Sequence, residues 1–303
     1  MTSESRSLAE FLASVDSVAV LSGAGVSTAS GIPDYRDRNG ERRHAKPIQY
    51  GDYIKSERSR KRYWARSYVG WQRFSKAEPN AAHRALAELE TAGKVDTLIT
   101  QNVDRLHHEA GSDHVIELHG DLSRVRCIDC QTISARSEYQ YRLKDANHGW
   151  HAEVFRSRPD GDAELADSSY NDFNVPGCAA CGHVVKPDVV MFGEGVPKTR
   201  VRNAMAAIDR ANALLVVGSS LMVFSGFRFA RQARDFEKPI VIVNQGRTRA
   251  DDIATLKIDA DCTRVLRDAL GQLRTVGSGG CQTITTRSHT ARQASGQQAT
   301  RRR

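Results

Sequence analysis

The sequence predicts an α/β molecule: a parallel sheet covered by helices, with a smaller second domain. Three observations carry that expectation. Short apolar runs alternate with helical patterns along much of the chain, and such alternation builds a parallel sheet buried on both faces. Polar and glycine-rich residues gather where the apolar runs end, and ligands of open α/β sheets bind at the carboxyl ends of strands. Two segments, about Glu41 to Pro79 and about Leu122 to Val184, break the alternation and read as insertions that form the second domain.

Val18-Ala19-Val20-Leu21 is a short buried strand that runs straight into Gly23-Ala24-Gly25, a turn expected to open a helix. Asn80 can cap a helix through Leu86 and Leu89, and Gly93 stops it. Further strands are expected at Val95 to Thr100, Val115 to Leu118, Ala213 to Val217 and Pro239 to Val243. They end in Gln101-Asn102, His119-Gly120, Gly218-Ser219-Ser220 and Asn244-Gln245-Gly246. Helical patterns at Lys198 to Ala211 and Phe224 to Phe236 separate several of these runs.

At 303 residues, 40% of them hydrophobic and 26% charged, the chain can bury a large core as one big domain or two smaller ones. No apolar run approaches the roughly 20 residues a bilayer span needs, so no membrane association is expected. Met1 to Glu10 is polar and lacks the apolar stretch of an export signal. Six cysteines without such a signal point to a reducing compartment: a bacterial-type cytoplasm or another such compartment, the mitochondrial matrix among them. Of the formal charge of +8, five arginines stand between Gly277 and Arg303, a stretch without acidic residues that reads as a solvated, disordered tail. A second basic stretch between Arg36 and Arg66 reads as the wet face of a helix. The charge therefore argues for no specific nucleic-acid partner.

Cys127 and Cys130, then Cys178 and Cys181, form two Cys-x-x-Cys pairs. Two ligands at i and i+3 can share one ion, and two such knuckles complete an all-thiolate tetrahedral zinc site. Four protein ligands leave no position for an activated water, so this zinc is expected to be structural and not hydrolytic. Buried or disulfide-bonded cysteines are the alternative. Cys281, in the tail, is no credible ligand. The glycine turn alone is weak evidence for a nucleotide, because Thr28 stands where G-x-G-x-x-G has its third glycine. The polar loop Ser30-Gly31-Ile32-Pro33-Asp34-Tyr35-Arg36 follows directly, stiffened by its proline and able to fold over a ligand.

Taken in order, Gly23 through Arg36, Thr100-Gln101-Asn102-Val103-Asp104, His119-Gly120, the two cysteine pairs, Lys186 through Gly193, Gly218-Ser219-Ser220 and Asn244-Gln245-Gly246 resemble the sirtuins, NAD-dependent protein deacylases. The resemblance runs from about Val18 to Leu270. Arg62-Tyr63-Trp64-Ala65-Arg66 through Gly70-Trp71, with the long insert between the cysteine pairs, looks most like the class II, mitochondrial-type branch.

That resemblance implies a Rossmann-like large domain over residues 1–40, 94–121 and 185–275. It also implies a small domain made of a helical module (41–93) and a zinc-ribbon module (122–184), before the tail at 276–303. NAD is the implied co-substrate and one structural zinc the implied metal. The implied NAD contacts are Gly23, Ala24, Gly25, Thr28, Asp34, Tyr35 and Arg36 at the first turn and the loop after it, and Gln101, Asn102, Val103 and Asp104 in the nicotinamide–ribose pocket. Gly218, Ser219, Ser220, Asn244, Gln245, Gly246 and Cys262 are implied around the phosphates and adenosine. His119 takes the family's catalytic position; the acyl group passes from lysine to ADP-ribose, nicotinamide leaves, and a base takes a proton from a ribose hydroxyl. Histidine suits that task because its pKa lies nearest the operating pH.

Acylated lysine side chains of proteins are the implied partners. Val190, Phe192 and Gly193 can supply an apolar tunnel and an edge for the peptide strand. Tyr63 and Arg66 fit the Tyr-x-x-Arg pairing by which family members read acidic acyl groups, so selectivity for acidic or longer chains is one expectation. Two other readings use the same cleft: protein mono-ADP-ribosylation, and non-catalytic binding of NAD or ADP-ribose.

Overall fold

The computed structural model describes residues 2–43, 47–152, 154–157, 161–165 and 170–278. The basic tail from residue 279 onward, with Cys281, lies outside the described residues. The first half of the chain forms α1 (Ser3–Ser14), β1 (Val18–Ser22), α2 (Tyr50–Lys55), α3 (Glu57–Phe74), α4 (Ala81–Thr91), β2 (Val95–Thr100), α5 (Leu106–Glu109), β3 (Val115–Glu117), β4 (Gly120–Cys127), β5 (Ile133–Ala135) and α6 (Arg136–Ala146). The second half forms β6 (Val154–Ser157), β7 (Ala163–Leu165), β8 (Val185–Val189), α7 (Lys198–Arg210), β9 (Ala213–Val217), α8 (Phe224–Asp235), β10 (Ile240–Val243), β11 (Leu256–Ile258) and α9 (Cys262–Ser278).

Six strands make one parallel sheet in the order β11-β10-β9-β1-β2-β3. Every residue of β1 is buried, and its side chains alternate between the two faces as a period of two requires. Val18 and Val20 join Leu8, Leu12, Leu86, Val265 and Leu266 in one apolar layer, beneath α1, α4 and α9. Ala19 and Leu21 join Ala207, Ile208 and Phe229 in the other, beneath α7 and α8. The helix expected after Asn80 is α4: Asn80 accepts from the Ala82 amide at 2.8 Å, and the Asn80 amide donates to His83 Nδ1 at 3.3 Å.

The smaller unit has an antiparallel sheet in the order β5-β4-β8, a β6–β7 hairpin and helices α2, α3 and α6. Its core is largely aromatic, with Tyr53, Tyr63, Trp64, Tyr139 and Phe173 packed together. Several expectations are corrected here. The segment 41–93 does not stay with the small unit throughout, because α4 buries Ala82, Ala85, Leu86 and Leu89 in the large sheet's core. β8, expected to belong with the large sheet, pairs with β4 across the small one. The residues from 276 begin no tail, since α9 runs to Ser278. The turn at Gly23 opens no α-helix: two single 3-10 turns, Ala24–Val26 and Thr28–Ser30, follow, ended by Gly31 at φ +82°. Pro33, two residues on, also disfavours continued helix.

Candidate active site

A cleft of about 440 Å³ opens where the strands of the large sheet end and faces residues of the small unit. Gly23, Ala24 and Gly25 after β1 line it, as do Asp34, Tyr35 and Arg36 in the following loop. Gln101, Asn102, Val103 and Asp104 line it after β2, Gly218, Ser219 and Ser220 after β9, and Asn244 and Gln245 after β10. Three expected residues do not. Thr28 is exposed, and its hydroxyl donates back to the Gly25 carbonyl at 3.0 Å. Gly246 donates its amide to Asp259 at 2.8 Å, and Cys262 is buried behind the turn with Sγ 3.6 Å from the Gly25 carbonyl.

The glycines do not act as a ring of idle amides. Gly23 donates to the Val217 carbonyl at 3.0 Å, and Gly25 to the Gly218 carbonyl at 2.8 Å. Val26 and Ser27 close the turn on Gly23 and Ala24. What glycine permits is close approach: a Cβ on Gly218, whose φ is +58°, would lie 2.5 Å from the Val26 nitrogen. The ends of β1 and β9 thus touch, and the floor of the cleft is bare backbone. Arg36, Arg38 and Arg228 line the same cleft and carry the positive charge that the amides do not offer.

Ser27, inside the motif but not singled out, organises the next layer. Its hydroxyl donates to Asp104 Oδ2 at 2.6 Å and accepts from Asn102 Nδ2 at 3.0 Å. Asn102 Nδ2 also donates to the Gly23 carbonyl at 3.1 Å. Burial pushes the Asp104 carboxyl up, against the hydrogen bonds from Ser27 and the Leu106 amide. Gln101 Nε2 reaches Ser219 Oγ at 2.8 Å, which joins the ends of β2 and β9.

His119 stands just beyond β3, half-buried in the cleft wall. Its Nδ1 lies 3.0 Å from the Gln101 carbonyl, which can only accept, so Nδ1 carries the proton. Nε2 therefore presents a lone pair and accepts from the Ser225 hydroxyl at 2.9 Å. Desolvation lowers the imidazole pKa to about 4, with Arg200 and Arg228 adding repulsion, while the Gln101 carbonyl works the other way. The ring is a neutral base held in one tautomer. Ser225, at the start of α8, had no distinguishing signal in the sequence.

Beside it, the Val190 amide donates to the His119 carbonyl at 2.7 Å, so the strand leaving β8 runs along the histidine. Val190, Phe192 and Gly193 all line the cleft. Phe192 packs edge-on against Tyr35, with ring centroids 6.1 Å apart, and the Arg42 guanidinium sits 5.4 Å from its ring centroid. Asp34 pairs with Arg43 at 2.8 Å, which ties the loop after the glycine turn to itself. Tyr63 lines the cleft from α3, but Arg66 does not: it is 3% exposed, paired with Asp162.

Away from the cleft, the four cysteine sulfurs gather within 4.8 Å of one another. Cys127 and Cys181 are 3.5 Å apart, and Cys130 and Cys178 3.7 Å. Tetrahedral zinc with bonds of about 2.3 Å sets its sulfurs roughly 3.8 Å apart, so the donor set fits one such ion in both chemistry and spacing.

Comparison with known proteins places this geometry in context. The Sir2 family profile matches residues 23–225. NAD-dependent protein deacetylase 2 of Bradyrhizobium diazoefficiens is 50% identical over 261 residues, covering 86% of this chain and 96% of that protein. The NAD-dependent protein deacetylase of Bordetella bronchiseptica is 49% identical over 268 residues, covering 88% and 98%. Among solved structures, one addressing the mechanism and regulation of Sir2 enzymes has 32% identity and a TM-score of 0.72, covering 91% of this chain and 100% of its own. A Sir2 bound to acetylated peptide has 28% identity and a TM-score of 0.68, covering 91% and 98%.

Proposed function

Because this chain belongs to the Sir2 family, we propose that its cleft is the active site of an NAD-dependent protein deacetylase in which His119 is the base. The enzyme class follows from relatives that are half identical over most of the chain; the residue roles are our reading. One observation supports that reading above the rest. His119 lines the cleft as a neutral imidazole with Nδ1 bound to a carbonyl, leaving Nε2 as the acceptor.

The bare floor at Gly23, Gly25 and Gly218 fits the close approach of a pyrophosphate, with Arg36 and Arg228 nearby to meet its charge. NAD, when bound, supplies the ADP-ribose that receives the acyl group and the nicotinamide that leaves. Asn102 and Asp104, fixed by Ser27, would orient the ribose end, and Asn244 and Gln245 the adenosine end. Thr28 and Cys262 would support the turn at the Gly25 carbonyl, and Gly246 would seat the backbone of Arg38. His119 would take a proton at Nε2 from a sugar hydroxyl, with Ser225 holding the ring until the substrate replaces it. Val190, Phe192 and Gly193 would line the path of the acyl-lysine. The zinc would brace β4 against the loop before β8 and take no part in the chemistry.

His119→Ala tests the assignment. Turnover of an acetyl-lysine peptide with NAD should fall by about 100- to 10,000-fold, while NAD affinity and zinc content persist. Undiminished turnover would remove the histidine from its role.

A further inference from the structure

Arg66 is occupied by a carboxylate that itself faces the cleft. Its Nη2 lies 2.6 Å from Asp162 Oδ2, with the two side chains 3% and 5% exposed. That Nη2 makes no aligned hydrogen bond, so the contact is a buried ion pair. Nε is committed separately, donating to the Ala163 carbonyl at 2.9 Å. Tyr63 and Asp162 line the cleft, whereas Arg66 sits behind them. The position of Asp162 is enforced by backbone. A Cβ on Gly70 of α3 would lie 2.6 Å from the Gly161 carbonyl oxygen, so α3 and the loop before β7 are in direct contact.

We propose that Asp162 is a specificity-determining residue that turns away carboxylate-tipped acyl groups and leaves the cleft to neutral ones. The assignment rests on the deacylase reading above. A succinyl or glutaryl tip entering past Tyr63 would need the Arg66 guanidinium, because the other buried arginine near Tyr63, Arg136, lies over the Trp64 and Trp71 rings, 5.3 and 4.9 Å from their centroids. Asp162 already neutralises that cation, and its own charge stands in the path of a second carboxylate. Like charges brought together without solvent are strongly disfavoured, and the pair cannot open without leaving a buried charge unmatched. Acetyl or butyryl groups require no such exchange. The same Tyr-x-x-Arg spacing that suggests an acid reader is, in this fold, disarmed by a residue almost a hundred positions later.

The test is a comparison of the wild-type enzyme with Asp162→Asn, Arg66→Met and the double variant. Each is assayed with NAD and acetyl-, butyryl-, succinyl- and glutaryl-lysine peptides, the products read by mass. Peptide affinity is measured in parallel by calorimetry, so that the answer does not depend on turnover. The wild type should favour acetyl over succinyl. Asp162→Asn should raise the succinyl-to-acetyl ratio of kcat/KM, and of affinity, by about tenfold or more; adding Arg66→Met should abolish that gain. Asp162→Ser, which removes the charge and shortens the side chain, should show the same direction if asparagine alters folding. An unchanged ratio in folded Asp162→Asn, or a wild type that already prefers succinyl through Arg66, would overturn the proposal. Absence of turnover of every acyl peptide in every protein, with the affinity ratio still shifting, would refute the deacylase reading while supporting Asp162 as the group that sorts acyl tips at binding.

Discussion

With His119 as the proposed base, burial of its imidazole sets the pH range over which the chemistry can run. The His119 pKa is lowered to about 4 by desolvation, so Nε2 is unprotonated at every pH above that value. The acid limb of kcat/KM for acetyl peptide should therefore lie near pH 4 and not at histidine's ordinary 6.5; a limb at 6.5 would mean that water solvates the ring. The same sign governs stability. His83, lowered to about 4 by desolvation, and His107, held well below histidine's ordinary value by complete burial, must stay neutral in the folded state. Their contribution is present above pH 6.5 and lost as pH falls below it, because the unfolded chain then takes up the protons. The Tm should decline from pH 6.5 downward. Ser225→Ala removes one hydrogen bond to Nε2, worth about 1 kcal/mol, which the substrate must displace in any case, so kcat/KM for acetyl peptide should change by no more than about fivefold with NAD affinity unchanged. At this scale the sequence was informative wherever a residue sat inside an ordered motif, as His119, Asn102 and Asp104 do. It misled by one position at Thr28, whose neighbour Ser27 turns inward, because a 3-10 turn rotates side chains differently from the α-helix assumed there. Ser225 and Asp162 were illegible, since their importance comes only from the chain's return to the cleft.

Elements divide in the same way. The strands were readable because they are buried on both faces and so appear as continuous apolar runs, as in Leu214-Leu215-Val216-Val217. Helix α4 announced itself through Asn80 and Gly93. Helix α1 did not: Ser3 to Ser7 are polar, and only Leu8, Ala9 and Leu12 mark the buried apolar stripe. Its value is tertiary, since it packs with α9 in the layer beneath β1 and β10. Leu8 is fully buried there, so Leu8→Ala should destabilise the protein by about 2–5 kcal/mol. Urea denaturation would measure this, and the KM for acetyl peptide should not move, because no residue of α1 lines the cleft. A loss below about 0.5 kcal/mol would mean that α1 is peripheral. Helix α9 and strand β11 went unread for a related reason. Strand β11 finishes the sheet's far edge, where no glycine-rich motif flags a strand's end, and α9 takes its place only by packing with α1 and α4.

The molecule as a whole has two kinds of core, which should part under chelation. The large sheet is sealed by two aliphatic layers drawn from both ends of the chain, α1 and α9 included, and needs no metal. The small unit has one aromatic core whose edge contains Cys127, Cys178 and Cys181, so its packing and its metal cage share residues. A metal whose ligands are distributed over β4 and the turn before β8 contributes its binding energy to folding of that unit. With zinc in place, strands β4 and β8 enter directly from the large sheet and back to it, and the two cores should melt together. Stripped of zinc by a strong chelator, the small unit should melt first, so that calorimetry records two transitions where the metal-loaded protein gives one. ADP-ribose should raise the upper transition, because the glycine floor at Gly23, Gly25 and Gly218, proposed to seat the pyrophosphate, lies at the ends of the large sheet's own strands. It should scarcely move the lower one. A single transition after complete zinc removal, at an unchanged temperature, would show that the four sulfurs hold nothing together and that the aromatic core suffices.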